Sequence, residues 1–223
     1  MALYFGDLLP FSSLFLEGLW TALYITLIAM LAGSIIGVLL YLGKAGTRNA
    51  LRLVCSAYIE IIRNTPLLVQ LYLIYFALPA VGVNLGPVWA AAIGLTLNNA
   101  AYTAEIYRAG FESVPHGLRE AGQALGMKPA QIVRYIVLLP ATRNVFPALT
   151  NQLILLFLAS SIGSIISLPE LTNATMTVSN TTYRTIEALT VGGLLYLAVS
   201  ALLALASKRA ETTLFRWAVG THV

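Results

Sequence analysis

Residues 108–143 read RAGFESVPHGLREAGQALGMKPAQIVRYIVLLPATR, a polar, basic and well-punctuated stretch set between two long apolar segments. Its spacing predicts two short helices with a sharp joint. Ser113 is placed to cap the first, and Pro115 suits its opening turn. Leu118, Ala121, Gly122 and Leu125 recur at i, i+3, i+4 and i+7 and form one apolar stripe, with Arg119, Glu120 and Gln123 facing away from it. Gly126 suits the left-handed position past a helix end. Pro129 suits the first turn of a second helix running through Ile132, Val133 and Ile136 until Pro140 stops it. A helix of about ten residues is marginal alone in water, so packing against the rest of the chain, against a partner, or against both is expected to hold it, the alternative being an amphipathic helix resting on the lipid headgroups.

Working outward, 58% of the 223 residues are hydrophobic and only 10% are charged, a composition that a soluble domain could not keep off its surface. Apolar runs close to the ~20 residues needed to cross ~30 Å of hydrocarbon fall at about 19–42, 64–82, 87–107, 147–168 and 188–206. The expectation is an all-α integral membrane protein of five transmembrane helices, forming a single domain over residues 1–223. The polar stretch, about residues 108–146, connects helices three and four. No basic region precedes the first run and it exceeds a typical signal core, so it is expected to persist in the mature chain.

Cytoplasmic connections carry Lys and Arg in excess. Lys44, Arg48, Arg52 and Arg63 flank the first connection. Arg108, Arg119, Lys128, Arg134 and Arg143 lie in the third, and Lys208, Arg209 and Arg216 follow the last run. Of the 13 basic residues only Arg184 falls on the other side. The N-terminus is therefore expected outside and the C-terminus in the cytoplasm. Topology accounts for the net charge of +4 without a nucleic-acid partner. Cys55 is the one cysteine, and the two histidines, His116 and His222, are too sparse for a metal cluster or a proton relay. Gly37 to Lys44 resembles a phosphate loop only superficially, because Ala45 stands where Ser or Thr should follow the lysine.

Polar groups at membrane depth are expensive in lipid and turn toward a cavity or another helix. Asn98 and Asn99 in the third run, with Asn151, Gln152, Ser160, Ser161 and Ser164 in the fourth, are the candidates for a solute path. Interhelical hydrogen bonding is the alternative role for each. Ser160 and Ser164 are expected on one helical face. Pro66 lacks an amide donor and would crowd the carbonyl of Ile62, so a helix break is expected there, with Thr65 capping a new helix. Glu60 and Arg63, like Glu105 and Arg108, are spaced to pair across one turn. Gly33 and Gly37 form a small-xxx-small packing pair. Asn173-Ala174-Thr175 and Asn180-Thr181-Thr182 are expected to shape an external loop.

The run Glu120-Ala121-Gly122-Gln123-Ala124-Leu125-Gly126, with Ile136, Leu139 and Pro140 downstream, resembles the cytoplasmic coupling motif of ATP-binding-cassette importer permeases. Glu60 to Gln70, Ala101 to Gly110, Ser113-Val114-Pro115 and Pro169-Glu170-Leu171 resemble the polar amino-acid permease subfamily. The resemblance covers about residues 19–207. It implies a non-enzymatic transport subunit of a bacterial cytoplasmic (inner) membrane importer: two permeases pair, two ATPase subunits dock on the loops, and an external or periplasmic binding protein delivers an amino acid. Glu120, Ala121, Gly122, Ala124, Leu125 and Gly126 would enter a groove on the ATPase. ATP and Mg would sit on that partner, leaving this chain with membrane lipid around it and no cofactor of its own.

Two departures carry weight. Gly122 replaces the usual Ala, weakening the helix by about 1 kcal/mol. Leu158-Ala159-Ser160-Ser161-Ile162 stands where many relatives carry a Lys-Asp-Thr-Ser-Leu type run, so a non-identical second permease is expected to supply the missing charges, or the site is neutral. A passive or ion-coupled small-solute carrier would need intramembrane acidic residues, and none is evident at the centre of a run. An intramembrane serine enzyme would need an activating base, and no span contains a histidine.

Overall fold

A computed structural model describes residues 3–215 of the chain, and among these residues all regular structure is helical. A 3-10 turn, Gly6–Phe11, leads into α1 (Ser12–Ala45). Next come α2 (Asn49–Arg63) and α3 (Leu67–Tyr72), the latter prolonged by irregular turns to Val81. Then follow α4 (Pro87–Glu112), α5 (His116–Ala124) and the one-turn α6 (Pro129–Gln131). A π-helical stretch, Ile132–Val137, joins α6 to α7 (Leu138–Ala159), which ends in the 3-10 turns Ser160–Ile166. The last helices are α8 (Leu171–Thr182) and α9 (Thr185–Leu214).

Among the described residues, three continuous helical runs can cross a membrane by length and composition: Gly6–Ala45, Pro129–Ile166 and Thr185–Leu214. Asn49–Arg63 and Leu67–Val81 add a fourth if they count as one span bent by 105°. α4 is long enough at 26 residues, but Asn98, Asn99, Thr103 and Glu105 dilute its apolar content. Its polar side chains meet α1, the α2/α3 element and α7, which a hydropathy window cannot register.

The α1/α4 pair is the most intimate contact in the molecule. Cβ atoms at Gly33 would stand 2.7 Å from Asn99 Nδ2 and at Gly37 3.0 Å from the Ala100 carbonyl, so the two backbones meet through the expected glycine pair. Beside this seam a core of Ile25, Ala29, Ala90, Ala91, Leu95, Leu156, Ile166 and Leu168 joins α1, α4 and the end of the α7 run. Leu8, Phe15, Leu171, Val178 and Ala188 tie the N-terminal turn to α8 and α9. Glu170 is completely buried at the start of α8. Its carboxylate accepts from the Thr172 and Asn173 amides, both at 2.8 Å, and from Tyr196 Oη at 2.7 Å, so it caps α8 and anchors it to α9. The residues Asn173 to Thr182, expected as loop, are therefore helix.

Two proline expectations are resolved differently. At Pro66 the chain does break, but Thr65 does not cap the new helix. Its hydroxyl donates back to the Ile61 carbonyl at 2.8 Å, closing the end of α2. Pro140, expected to stop a helix, lies inside a continuous run of 38 residues. The residue whose carbonyl its ring would crowd, Ile136, sits in the wider π turn, which relieves that contact.

Candidate functional site

Ser113 is the residue after α4, not a cap for α5. Its hydroxyl donates to the Gly110 carbonyl at 2.7 Å and accepts from Asn144 Nδ2 at 2.7 Å, fastening the end of α4 to α7. Pro115 occupies the N-cap position of α5 instead. Gly126 takes the left-handed conformation with φ +74°, which lets the chain reverse between α5 and α6. Gln131 Oε1 then accepts from the Lys128 amide at 2.8 Å at the start of the next run.

α5 presents its stripe outward. Gly122 is its one buried residue, set against Ile132 and Ile136. A Cβ there would fall 2.7 Å from Ile136 Cδ1. Leu118 and Ala121 are exposed, and Leu125 is 80% exposed. Arg119, expected to face away from the stripe, does so by folding inward, and its NH2 donates at 2.8 Å to the Phe111 carbonyl. That carbonyl belongs to the last turn of α4, where acceptors lack helical partners and the dipole favours a cation. A cluster of Val114, Ile132, Val137 and Ala141 fixes the loop beneath α5. The result is a firmly seated helix whose apolar side chains and Glu120 point away from the chain.

A second feature runs along α4. A cavity of about 500 Å³ lies among Arg63, Tyr102, Glu105, Arg108, Asn151 and Gln152. Another, of about 310 Å³, lies among Thr65, Asn98, Tyr102, Gln152, Ala159 and Ile162. Tyr102 and Gln152 border both, so the two form one groove between the broken α2/α3 element, α4 and α7.

The groove sorts the predicted polar residues. Asn98 lines it and donates to Gln70 Oε1 at 3.0 Å. Gln70 Nε2 in turn donates to the Ile62 carbonyl at 2.9 Å and to Thr65 Oγ1 at 2.8 Å, so the helix break is held by the groove's own polar wall. Asn151 lines the wider cavity. Asn99, its neighbour in sequence to Asn98, is fully buried. It donates to the Ala29 carbonyl at 3.2 Å and accepts from Gln152 Nε2 at 3.0 Å, linking α1, α4 and α7. Ser160, Ser161 and Ser164 line neither cavity, and each hydroxyl donates to a carbonyl three residues back. Because the segment is 3-10, its period is three: Ser160 is buried with Gly163 and Ile166, while Ser161 and Ser164 share the other face. The expected Ser160/Ser164 face does not form. Tyr102, which borders both cavities, and Gln70, which holds Asn98 at the groove wall, were not among the expected residues. Their signal was a polar group on a helix face one or more turns from Thr65 and Asn98.

At the end of the groove Glu105 is an ionic hub. Lys44 Nζ stands 2.8 Å from Oε1, and Arg108 and Arg63 stand 2.9 and 3.5 Å from Oε2. Arg108 also binds Glu112. The expected Glu105/Arg108 pair is present. The Glu60/Arg63 pair is not, because Arg63 reaches across to α4, where a half-buried carboxylate and the Tyr102 ring (5.6 Å) receive it. At the opposite end of α1, Arg184 pairs with Asp7 at 3.1 Å. Cys55 is free and buried, and the described residues hold no metal-ligating cluster. Arg216 and His222 lie outside the described residues.

The sequence matches the family described as binding-protein-dependent transport system inner membrane component over residues 29–213. It is 34% identical to the arginine transport system permease protein ArtQ of Bacillus subtilis (strain 168), over 96% of this chain and 98% of that one. It is 32% identical to the glutamine transport system permease protein GlnP of Escherichia coli (strain K12), over 91% of this chain and 93% of that one. A chain from the crystal structure of an amino acid ABC transporter with histidines superposes with a TM-score of 0.92 at 35% identity, covering 96% of this chain and all of that one. An inward-facing MetNI methionine ABC transporter superposes with a TM-score of 0.76 at 28% identity, covering 92% and 98%.

Proposed function

This chain belongs to the family of binding-protein-dependent transport system inner membrane components, and from that premise we propose how its two surfaces divide the work of an amino-acid importer. The chain is the permease subunit of an ATP-driven importer that moves polar amino acids across the bacterial cytoplasmic membrane. Its helices cross the bilayer five times, α4 and the bent α2/α3 pair included, with the N-terminus outside and the C-terminus in the cytoplasm. Two observations support this topology. Lys44, Arg63 and Arg108 gather at one end of the bundle, and α4 turns its polar residues inward.

The coupling role rests on α5. A helix whose apolar residues point outward, while a glycine and an arginine hold it to the protein, is built to be received by another surface. Glu120, Ala121, Ala124 and Leu125 enter a groove on an ATPase subunit, Gly122 seats the helix on Ile132 and Ile136, and Gly126 sets its exit. Two ATPases, carrying ATP and Mg, dock on the loops of two permeases, and an external amino-acid-binding protein delivers the solute. ATP-driven closure of the ATPase pair draws the two α5 helices together and tilts the bundles so that the path opens outward. Hydrolysis and product release reopen it inward.

The solute path follows the α4 groove, with Asn98, Tyr102, Asn151 and Gln152 as its polar contacts. Ala159 and Ile162 line this groove where many relatives of the resembled subfamily carry Asp and Leu, so the wall lacks the carboxylate. A non-identical second permease supplies that charge.

Glu120→Lys tests the coupling role. The variant should insert and fold normally, lose co-purification of the ATPase and lose uptake of the amino acid. Undiminished ATPase binding and uptake would remove α5 from the mechanism. Mass spectrometry of the complex purified in mild detergent tests the pairing, since a complex containing only this permease and an ATPase would exclude the heteromeric arrangement.

A further inference from the structure

Behind the Glu105 hub lies a third cavity that neither coupling nor the solute path uses. It measures about 290 Å³ and is enclosed by Tyr41, Lys44 and Ala45 from α1, Arg52 and Ser56 from α2, and Arg108 and Glu112 from α4. Three helix segments bring three cations to one concavity.

The cations are not equally occupied. Arg108 has its Nε and NH2 on Glu105 and its NH1 on Glu112, so its guanidinium is fully engaged. Lys44 uses one donor direction on Glu105. Arg52 forms a hydrogen bond only to Asn49 Oδ1, at 3.1 Å on its own helix, and pairs with no carboxylate among the described residues. Ser56 and Tyr41 add hydroxyls that have no hydrogen bond among the described residues. Counting Arg63, four cations surround two carboxylates, so the locality keeps a positive surplus after the internal pairs are made. A strongly hydrated amino-acid ammonium would be repelled. A planar or tetrahedral oxyanion would find Lys44, Arg52, Ser56 and Tyr41 converging on it.

The setting narrows the ligand further. Leu42 on α1 and Leu51 on α2, next in sequence to cavity residues, are 57% and 47% exposed, so apolar surface adjoins the cationic pocket. Basic pockets between helices at the end where Lys and Arg gather suit anionic headgroups. We infer that the cavity closed by Lys44, Arg52, Ser56 and Tyr41 binds a phosphate-bearing anion, supplied as the headgroup of an anionic phospholipid or as free phosphate. Bound there, the anion shares Lys44 with Glu105 and so adjoins the ion network at the mouth of the groove.

Arg52→Glu tests the site because Arg52 is exposed and outside the Glu105 network, and Arg48→Glu, at the exposed start of α2 and outside the cavity, is the matched control. The full permease, purified with its bound partners, is stripped of lipid. It is then offered phosphatidylglycerol in one arm, phosphatidylcholine in a second and inorganic phosphate in a third. Retained lipid is read by mass spectrometry and ligand-induced stabilisation by thermal unfolding. Unaltered protein should retain phosphatidylglycerol over phosphatidylcholine, Arg52→Glu should lose at least about fivefold of that retention, and Arg48→Glu should keep it. An Arg52-dependent stabilisation by inorganic phosphate, with no preference between the lipids, would support the site with free phosphate as the source. Equal behaviour of Arg52→Glu and unaltered protein in every arm would overturn the inference. Equal loss in both variants would also overturn it, since the binding would then be diffuse surface attraction. None of these readouts requires transport, so failure of the import reading would not masquerade as failure here.

Discussion

α4 and α5 are neighbours in sequence and opposites in construction. In α4 the polar residues Asn99 and Thr103 are buried and the glycines of α1 close over them. In α5 the apolar residues Leu118 and Leu125 are exposed, and a glycine and an arginine make the attachment. Hydrophobicity by itself therefore does not place Asn99 and Thr103 inside α4, nor Leu118 and Leu125 outside α5. In α4 a polar group can be buried because each hydrogen bond is met: Thr103 Oγ1 donates to the Asn99 carbonyl at 2.9 Å and approaches the Gly33 carbonyl at 3.1 Å. In α5 apolar groups stay exposed, and under the proposed coupling role the surface that covers them belongs to an ATPase subunit. The first helix is finished within the subunit, and the coupling proposal has the second completed by assembly.

The sharpest way to break that contrast is at the α1/α4 seam. Gly37→Leu should destabilise the protein by about 3 kcal/mol, read as a lowered midpoint of thermal unfolding in detergent, because its side chain has only Thr103 and the α4 backbone to displace. An unchanged midpoint would mean the seam is not the rigid part. Asn99→Ala should cost about 2 kcal/mol by leaving Gln152 Nε2 unpaired in a buried site, whereas Asn98→Ala, in the groove wall, should cost about half that or less. Equal losses would erase the distinction between the two residues. Gly126→Ala should cost about 1 kcal/mol through its left-handed backbone and raise amide exchange across residues 113–128 while leaving α4 protected. Leu125→Glu should change stability by no more than about 0.5 kcal/mol yet abolish ATPase retention, since its side chain touches little of its own chain. A large loss of stability would show that α5 is an internal element after all.

Legibility followed the range of the interaction. The loop's punctuation was readable because Gly126 and Pro129 act through their own backbones, and the Pro66 break was readable for the same reason. The destination of the Thr65 hydroxyl was not, because it depends on Gln70, whose own partner is Asn98 on another helix. Pro140 misled because a π turn one step earlier accommodated it. The serine cluster misled because a period of 3.6 was assumed where the chain winds at three, which rotates Ser160 inward and Ser161 outward. Arg63 passed over its near neighbour Glu60 for Glu105, where several cations share one half-buried carboxylate.

By itself the sequence determined the membrane setting, the helical class, the sharp joint after α5 and the family. Those follow from hydropathy summed over a span, from the torsional limits of Gly and Pro, and from motifs that need no partner to be recognised. Only the tertiary structure decided which of two adjacent asparagines faces the groove, which side of α5 is held, and where the cations converge. Burying a polar group, or leaving an apolar one bare, is settled by whether a neighbour from a distant part of the chain meets it.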